Sequence, residues 1–576
     1  MSYLAVQPDF IATAAADLSE IRAAIAAASA AATTPITGLV AAAADEVSEA
    51  CANLFNTYAN EYQAFIRQVS EFHDDFVRTV AAAGIAYAET EIANAGGTAA
   101  SVAAAAAPLA TAISDPATTY TIVMGASGYP IPAVDYIDDL AALYVFPWRT
   151  IGDNLQGLNT PEGLYPLTGI KDLTLNDSVA RGLTILDNTI RPLLASGQTV
   201  NVLGYSQSAV ISSLEMQLLN PANTPNPGLG DLSFTLLGNP ANPNGGLLAR
   251  FPALSLPSMG LTFGAATPDN SFPTRIYTIE YDGFADFPQY PLNFLADLNA
   301  FMGIMTLHGT YPFLTADQVS NAIQLTNTVG PTQTEYYVIP TEHLPLLDPV
   351  RAIPVMGKPI ASLLEPNMEV LVNLGYGSTT QGWSPDPPNV RTEFGVIPPV
   401  PPEEIIAALS AGTQKGIAAF NTDMTTEVLP HLANLPSTLP NALTTTLGEV
   451  GTDGASVLAG LQSSLSSPTS IIESLLEANL KVAYASSNVA ATVYATVFPT
   501  IDGVNAIVTA IPAYNVYLFG TGLLQAVNGD PVGGLINAFG RPIAANVGLA
   551  TLLAGFELRV LQLAAQSIAA DFQGLV

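Results

Sequence analysis

The segment NVLGYSQSAV, residues 201–210, sets a serine between a β-branched apolar run and small, helix-compatible residues. A serine held where a strand turns sharply into a helix has its hydroxyl lifted above the sheet, the arrangement of a nucleophile elbow. Strand and helix backbones approach closely there, so the positions two before and two after the serine must be small. Gly204 meets that requirement fully and Ser208 less well. The hydroxyl of Ser206 is a weak nucleophile without a base, and the base needs a group that orients it. In this strand-turn-helix setting the partners follow the serine in the order acid, then histidine. IEYDGFADFP supplies Asp282 and Asp286 just past an expected strand, TLHGTYP supplies His308, and TEHLPLL supplies His343. Two acids and two bases compete for two positions.

Such residues need a rigid sheet behind them. From Thr119 onward, short β-type runs are separated by Pro/Gly/Asn turns and helix-length segments: YTIVMG (120–125), TVNVLG (199–204), LSFTLLG (232–238), RIYTIEYD (275–282) and TEYYVIP (334–340). Buried runs alternating with helices predict an α/β domain with a mainly parallel sheet, here over 119–400. The proline-rich FGVIPPVPPEE (394–404) marks its end. Residues 401–576 are rich in Ala, Leu, Ser and Thr, with a helical tendency interrupted by prolines, and hold no catalytic constellation. That region is expected to cap the sheet, lie on lipid or form a tail.

Upstream, Phe10, Ala14, Leu18, Ile21 and Ile25 fall on one helical face behind Pro8, and a second stripe from Val47 through Phe65 and Phe76 to Val80 runs without proline. The spacing predicts an antiparallel helical hairpin over 1–94, whose aromatic stripe needs a partner helix pair or the rest of the chain to cover it. Residues 95–118, mostly Ala, Gly, Thr and Ser, read as a linker.

Composition excludes several function classes. Hydrophobic residues at 49% against 11% charged allow a sizeable core. The formal charge of -32 repels phosphate backbones, so no nucleic-acid partner is expected. One cysteine, Cys51, and four histidines leave no disulfide framework or Cys-based zinc site; no metal or cofactor is expected. The opening MSYLAVQPDFIATAAADL lacks the basic and apolar regions of a signal peptide. No stretch reads as a transmembrane helix, the Ala/Thr-rich run 97–113 being the nearest.

The opening segment, with its Ala-rich first helix, aromatic second helix and terminal YAETE, resembles the PE domain of mycobacterial PE proteins. VMGASGYPIP, GYSQSA, LLGNPANPNGGLLARF, EYDGFADFPQYPLN and IPTEHLPLLDPVR resemble the PE-PPE domain, a serine α/β-hydrolase related to cutinases. Together these motifs cover about the first two thirds of the chain, and Pro8-Asp9 stands where the namesake Pro-Glu is expected.

The resemblance implies a secreted or cell-envelope serine esterase or lipase acting on short- to medium-chain esters or lipids. Cutinase-like enzymes carry the base in a His-x-x-Tyr context, which selects His308 with Tyr311, and the acid a few residues past the strand, which selects Asp286; Asp282 and His343 are the reserves. The oxyanion is expected at the backbone N–H of Gln207 and at Ser127 in the loop GASG. Segments 211–232 and 247–273 are expected to form an apolar mouth. The resemblance also implies a PPE-family partner for the hairpin, peripheral envelope association, and a type VII secretion chaperone reading Tyr87 and Glu91, which lie one helical turn apart. The alternative is a non-catalytic surface protein that uses the hydrolase fold as a binding scaffold.

Overall fold

The computed structural model describes residues 118–573 apart from 150–153, 170–171, 226–227, 229, 431–480 and positions 482, 483, 486, 490 and 494. The expected hairpin 1–94, nearly all of the expected linker, and Tyr87 and Glu91 lie outside the described residues.

Seven strands form one sheet: β1 (Thr119–Met124), β2 (Asn154–Leu158), β3 (Thr199–Tyr205), β4 (Leu232–Leu237), β5 (Thr274–Ile279), β6 (Ile323–Leu325) and β7 (Thr334–Ile339). Their order is β2-β1-β3-β4-β5-β7-β6, parallel throughout except for the β6–β7 pair at one edge. The five runs expected from sequence are all strands, and the α/β class with its mainly parallel sheet holds. β2 and β6, unforeseen, are edge strands with weak apolar patterns. β4 is buried along its whole length, as a central parallel strand covered on both faces must be. Its buried Ser233 is satisfied sideways: Ser233, Asn201 and Thr121 are in register on adjacent strands, and Ser233 Oγ donates to Asn201 Oδ1 (2.7 Å) while Asn201 Nδ2 donates to Thr121 Oγ1 (3.2 Å). The chain leaves β1 toward β2 on one side and β3 on the other, so the carboxyl ends of β1 and β3 flank a switch point, the usual place for a site in such sheets.

Helices α1 (Val134–Leu140), α2 (Leu175–Ala195), α3 (Gln207–Leu219), α4 (Phe294–Thr306), α5 (Gly357–Asn373) and α6 (Pro402–Asp423) flank the sheet region. Thr174 caps α2 by accepting from the Asp177 N–H, and α2 lies on α3 through Gly182 against Ile211.

The C-terminal region adds α7 (Val497–Asn505), α8 (Ile511–Val527) and α9 (Pro531–Gln573). Gly522 abuts Ala538 and Gly534 abuts Ala526, a pairing that makes α8 and α9 antiparallel. Asp530 accepts from the Gly533 N–H at the start of α9, with Pro531 in its first turn. Asp115–Val576 forms one compact unit, and α9 belongs to its core: Ala544, Ala545, Leu549 and Leu552 pack in one cluster with Phe251 and Phe287. A Cβ on Gly555 would sit 2.3 Å from the Phe301 ring, so only glycine permits that approach to α4.

Two helical spans come nearer to membrane length and apolarity than the run 97–113 that the sequence suggests. The helical spans Ser487–Val527 and Pro531–Ala570 are long and apolar enough, by length and composition, to cross a membrane. Pro512 falls in a first helical turn and Pro542 inside α9, so these prolines do not divide the apolar runs.

Candidate active site

Ser206 follows β3 directly and caps α3 with φ 60 and ψ −116, a positive-φ conformation rare for a residue with a side chain. The turn is held from several sides. The Ser206 N–H donates to Leu237 O (2.9 Å) at the end of β4. A Cβ on Gly204 would lie 2.5 Å from Ser208 O, which explains the glycine. Ser208, the weaker match to a small residue, braces the turn: its Oγ accepts from the Tyr205 N–H (2.8 Å) and donates to Tyr205 O (3.1 Å).

The geometry joins three of the candidates. Ser206 Oγ lies 2.7 Å from His308 Nε2, and His308 Nδ1 lies 2.8 Å from both carboxylate oxygens of Asp282. Asp282 is fully buried, and its oxygens also accept from the Tyr311 hydroxyl (2.8 Å) and the Phe284 N–H (3.2 Å). A buried carboxylate supplied with this many donors is compensated for lost water. Tyr311 in turn accepts from the Ile279 N–H (2.9 Å) at the end of β5, and Tyr205 donates to His308 O, holding the backbone of the histidine. Burial first, and the Asp282 charge second, push both phenols well above the usual range, so both remain donors. Phe284 packs edge-on against the imidazole at 4.7 Å.

The selection of Asp286 is therefore corrected. Asp286 accepts from the Tyr281 N–H (3.2 Å) and lies near Arg250, away from His308. Its complete burial drives its carboxyl well above the ordinary range, against the pull of Arg250. The physical reason is the turn after β5: Tyr281 has φ 65, and Asp286 N–H donates to Asp282 O (2.6 Å), so the chain folds back and directs the two acids to different neighbours. His343 is also remote from Ser206; it is half-exposed and pairs with Glu365 at 3.4 Å.

Ser127 and Gln207 both line the cleft at Ser206, and Ser127 Oγ donates to Gln207 Oε1 (3.2 Å). Gln207 is the first residue of α3, where a backbone N–H has no intrahelical acceptor. Its side chain is fixed by donating to Ser178 Oγ (2.6 Å). The Ser127 loop is tied down by Gly128 N–H donating to Glu162 O (2.7 Å). Burial pushes the Glu162 carboxyl up to about 8, partly opposed by the Thr160 hydroxyl. Unfolded, that group titrates near 4.5, so between these pH values the folded chain holds the extra proton and stability falls as pH rises. Glu162→Gln is expected to flatten that slope: in urea unfolding it gains at least about 1.4 kcal/mol on the wild type at pH 8 relative to pH 4.5.

The cleft spans ≈ 810 Å³ of empty space with open solvent included, and its walls are almost wholly apolar. Segment 247–273 contributes Leu247, Leu256, Met259 and Phe263, as expected. Segment 211–232 contributes none, because residues 211–219 continue α3 and turn Ile211 and Met216 into the core. Sequence reasoning missed the far wall, which is Leu549, Leu552, Leu553 and Phe556 of α9. Their spacing of three and four was the available signal.

With this geometry in view, two family models match the chain: the PE family over residues 4–94 and the PE-PPE domain over residues 151–377. Among relatives from Mycobacterium tuberculosis, Esterase PE16 is 44% identical over 389 residues, 67% of this chain and 72% of its own length. PE family protein PE3 is 42% identical over 446 residues, 76% and 92% of the two chains. PPE family protein PPE28 is 45% identical over 463 residues, 80% and 68% of the two chains.

Proposed function

Because the chain belongs to the mycobacterial PE family and carries a PE-PPE domain, we propose that it is a serine esterase or lipase acting on short- to medium-chain carboxylic esters or lipids. The single observation that carries the reading is the hydrogen-bonded series Ser206, His308, Asp282 opening on an apolar cleft. Esterase PE16, similar over most of its length, supports it.

In this reading Ser206 Oγ attacks the ester carbonyl as His308 Nε2 takes its proton. Asp282 keeps the remaining imidazole proton on Nδ1 and stabilises the charged ring. The tetrahedral oxyanion is held by the Gln207 N–H, with Ser127 as second donor; removing one such donor typically costs ~3 to 4 kcal/mol of barrier. His308 then protonates the leaving alcohol, and water enters by the reverse sequence to free the acid. The near absence of polar wall atoms favours an acyl chain over a sugar or a peptide backbone.

Export through a type VII route, marked by Tyr87 and Glu91 and aided by a PPE-family partner and a secretion chaperone, is part of the same proposal, as is a secreted or envelope location. The activity is tested with a serine-directed fluorophosphonate and p-nitrophenyl esters. Stoichiometric labelling lost in Ser206→Ala, together with ester turnover, is the expected result. A folded protein that neither labels nor turns over ester overturns the reading in favour of a binding scaffold.

A further inference from the structure

A second apolar chamber, ≈ 1190 Å³ with open solvent included, lies among α7, the start of α8 and α9. Val504, Ile507, Ile511, Leu553, Phe556 and Val560 supply its apolar lining. Four of its wall residues, Pro166, Met259, Leu553 and Phe556, are also walls of the Ser206 cleft, so a single layer of side chains separates the two spaces. Phe556 stacks at 6.4 Å on Phe284, which itself packs on His308, so the partition stands two rings from the imidazole. The helix on the other side is anchored to the domain: Asp502 of α7 accepts from the Tyr165 hydroxyl (2.6 Å) and, through its backbone oxygen, from Ser258 (3.0 Å). Both anchors lie beside partition residues, Pro166 and Met259. Val504 and Ile507 are about half exposed, which gives the chamber an apolar rim.

We propose that this chamber is a distal acyl site, in which the far end of a long-chain acyl group lies while its carbonyl is at Ser206, the chain passing over Leu553 and Phe556. The proposal rests on the esterase reading and extends its substrates from short- and medium-chain esters to long-chain ones, with the C-terminal helices determining chain-length specificity. Adjacency of the two spaces across one shared layer of side chains argues for one occupant reaching both. The scarcity of polar groups along the shared wall argues for a hydrocarbon chain.

Ala550 and Ala554 line the chamber without lining the Ser206 cleft, and both are exposed, so Ala550→Trp and Ala554→Trp fill it without displacing core atoms. In the full chain, the ratio of kcat/KM for p-nitrophenyl palmitate to that for the butyrate ester is expected to fall at least tenfold in either variant. An unchanged ratio in folded variants overturns the distal site and leaves the esterase reading standing. The second arm needs no turnover: palmitate binding to the Ser206→Ala protein, measured by calorimetry, is expected to weaken at least tenfold when Ala554→Trp is added. Loss of palmitate binding in a chain that hydrolyses no ester supports the chamber while overturning the esterase reading. Equal binding by the two proteins overturns the chamber.

Discussion

Ser206→Ala is expected to lower kcat for a p-nitrophenyl ester by about 10⁶, and Ser206→Ala combined with His308→Ala by hardly more. The two groups act as one device: His308 has no proton to take once the hydroxyl is gone, and the hydroxyl is unactivated without His308. About 10³-fold catalysis over water should survive, because the Gln207 N–H and the cleft still bind the developing oxyanion and the acyl group. Folding should change by less than ~1 kcal/mol. Alanine keeps the Cβ at φ 60, so the strain of the turn is retained, and the backbone bond from residue 206 to Leu237 is untouched. Steady-state kinetics with urea unfolding checks both parts. Additive losses in the double variant would mean that Ser206 and His308 serve separate steps.

Much of this site is legible from the chain because its constraints are local. The β-branched run into Gly204-Tyr-Ser206 specifies a strand ending in a tight turn, and glycine is required there by the approach of Ser208 O. His308 and Tyr311, three residues apart, converge on one carboxylate, the imidazole by Nδ1 and the phenol by its hydroxyl.

What is not legible depends on chain direction or on distant segments. Asp282 and Asp286 are both acids in the right loop, and nothing in their spacing reveals that Tyr281 adopts a positive φ and divides their surroundings. The edge strands β2 and β6 bury too little to leave a periodic signal. The wall from α9 is hidden for another reason. Its prolines resemble breaks in sequence, whereas in the fold Pro531 starts the helix and Pro542 is carried within it. Only contact with Phe284, Phe301 and the cleft gives Phe556 its role.

Asp282→Asn should lower kcat by about 10⁴ with KM little changed, while Asp286→Asn should alter kcat less than about tenfold. An asparagine amide at position 282 presents N–H to His308 Nδ1, which favours the imidazole tautomer with its proton on Nε2, the nitrogen that must accept from Ser206. The loss is therefore in the chemical step, equivalent to ~5 kcal/mol of barrier, and not in binding. Asparagine at 286 is a milder change. Burial already drives that carboxyl toward its neutral form, and an amide oxygen can still accept from the Tyr281 N–H. Arg250 loses a nearby acid, but its own bonds run to Phe287 O and Thr392 O and remain. The pair thus separates an orienting carboxylate from a structural one by kinetics alone. A large kcat loss in Asp286→Asn with near-normal Asp282→Asn would transfer the orienting role to Asp286 and require the turn after β5 to rearrange when substrate binds.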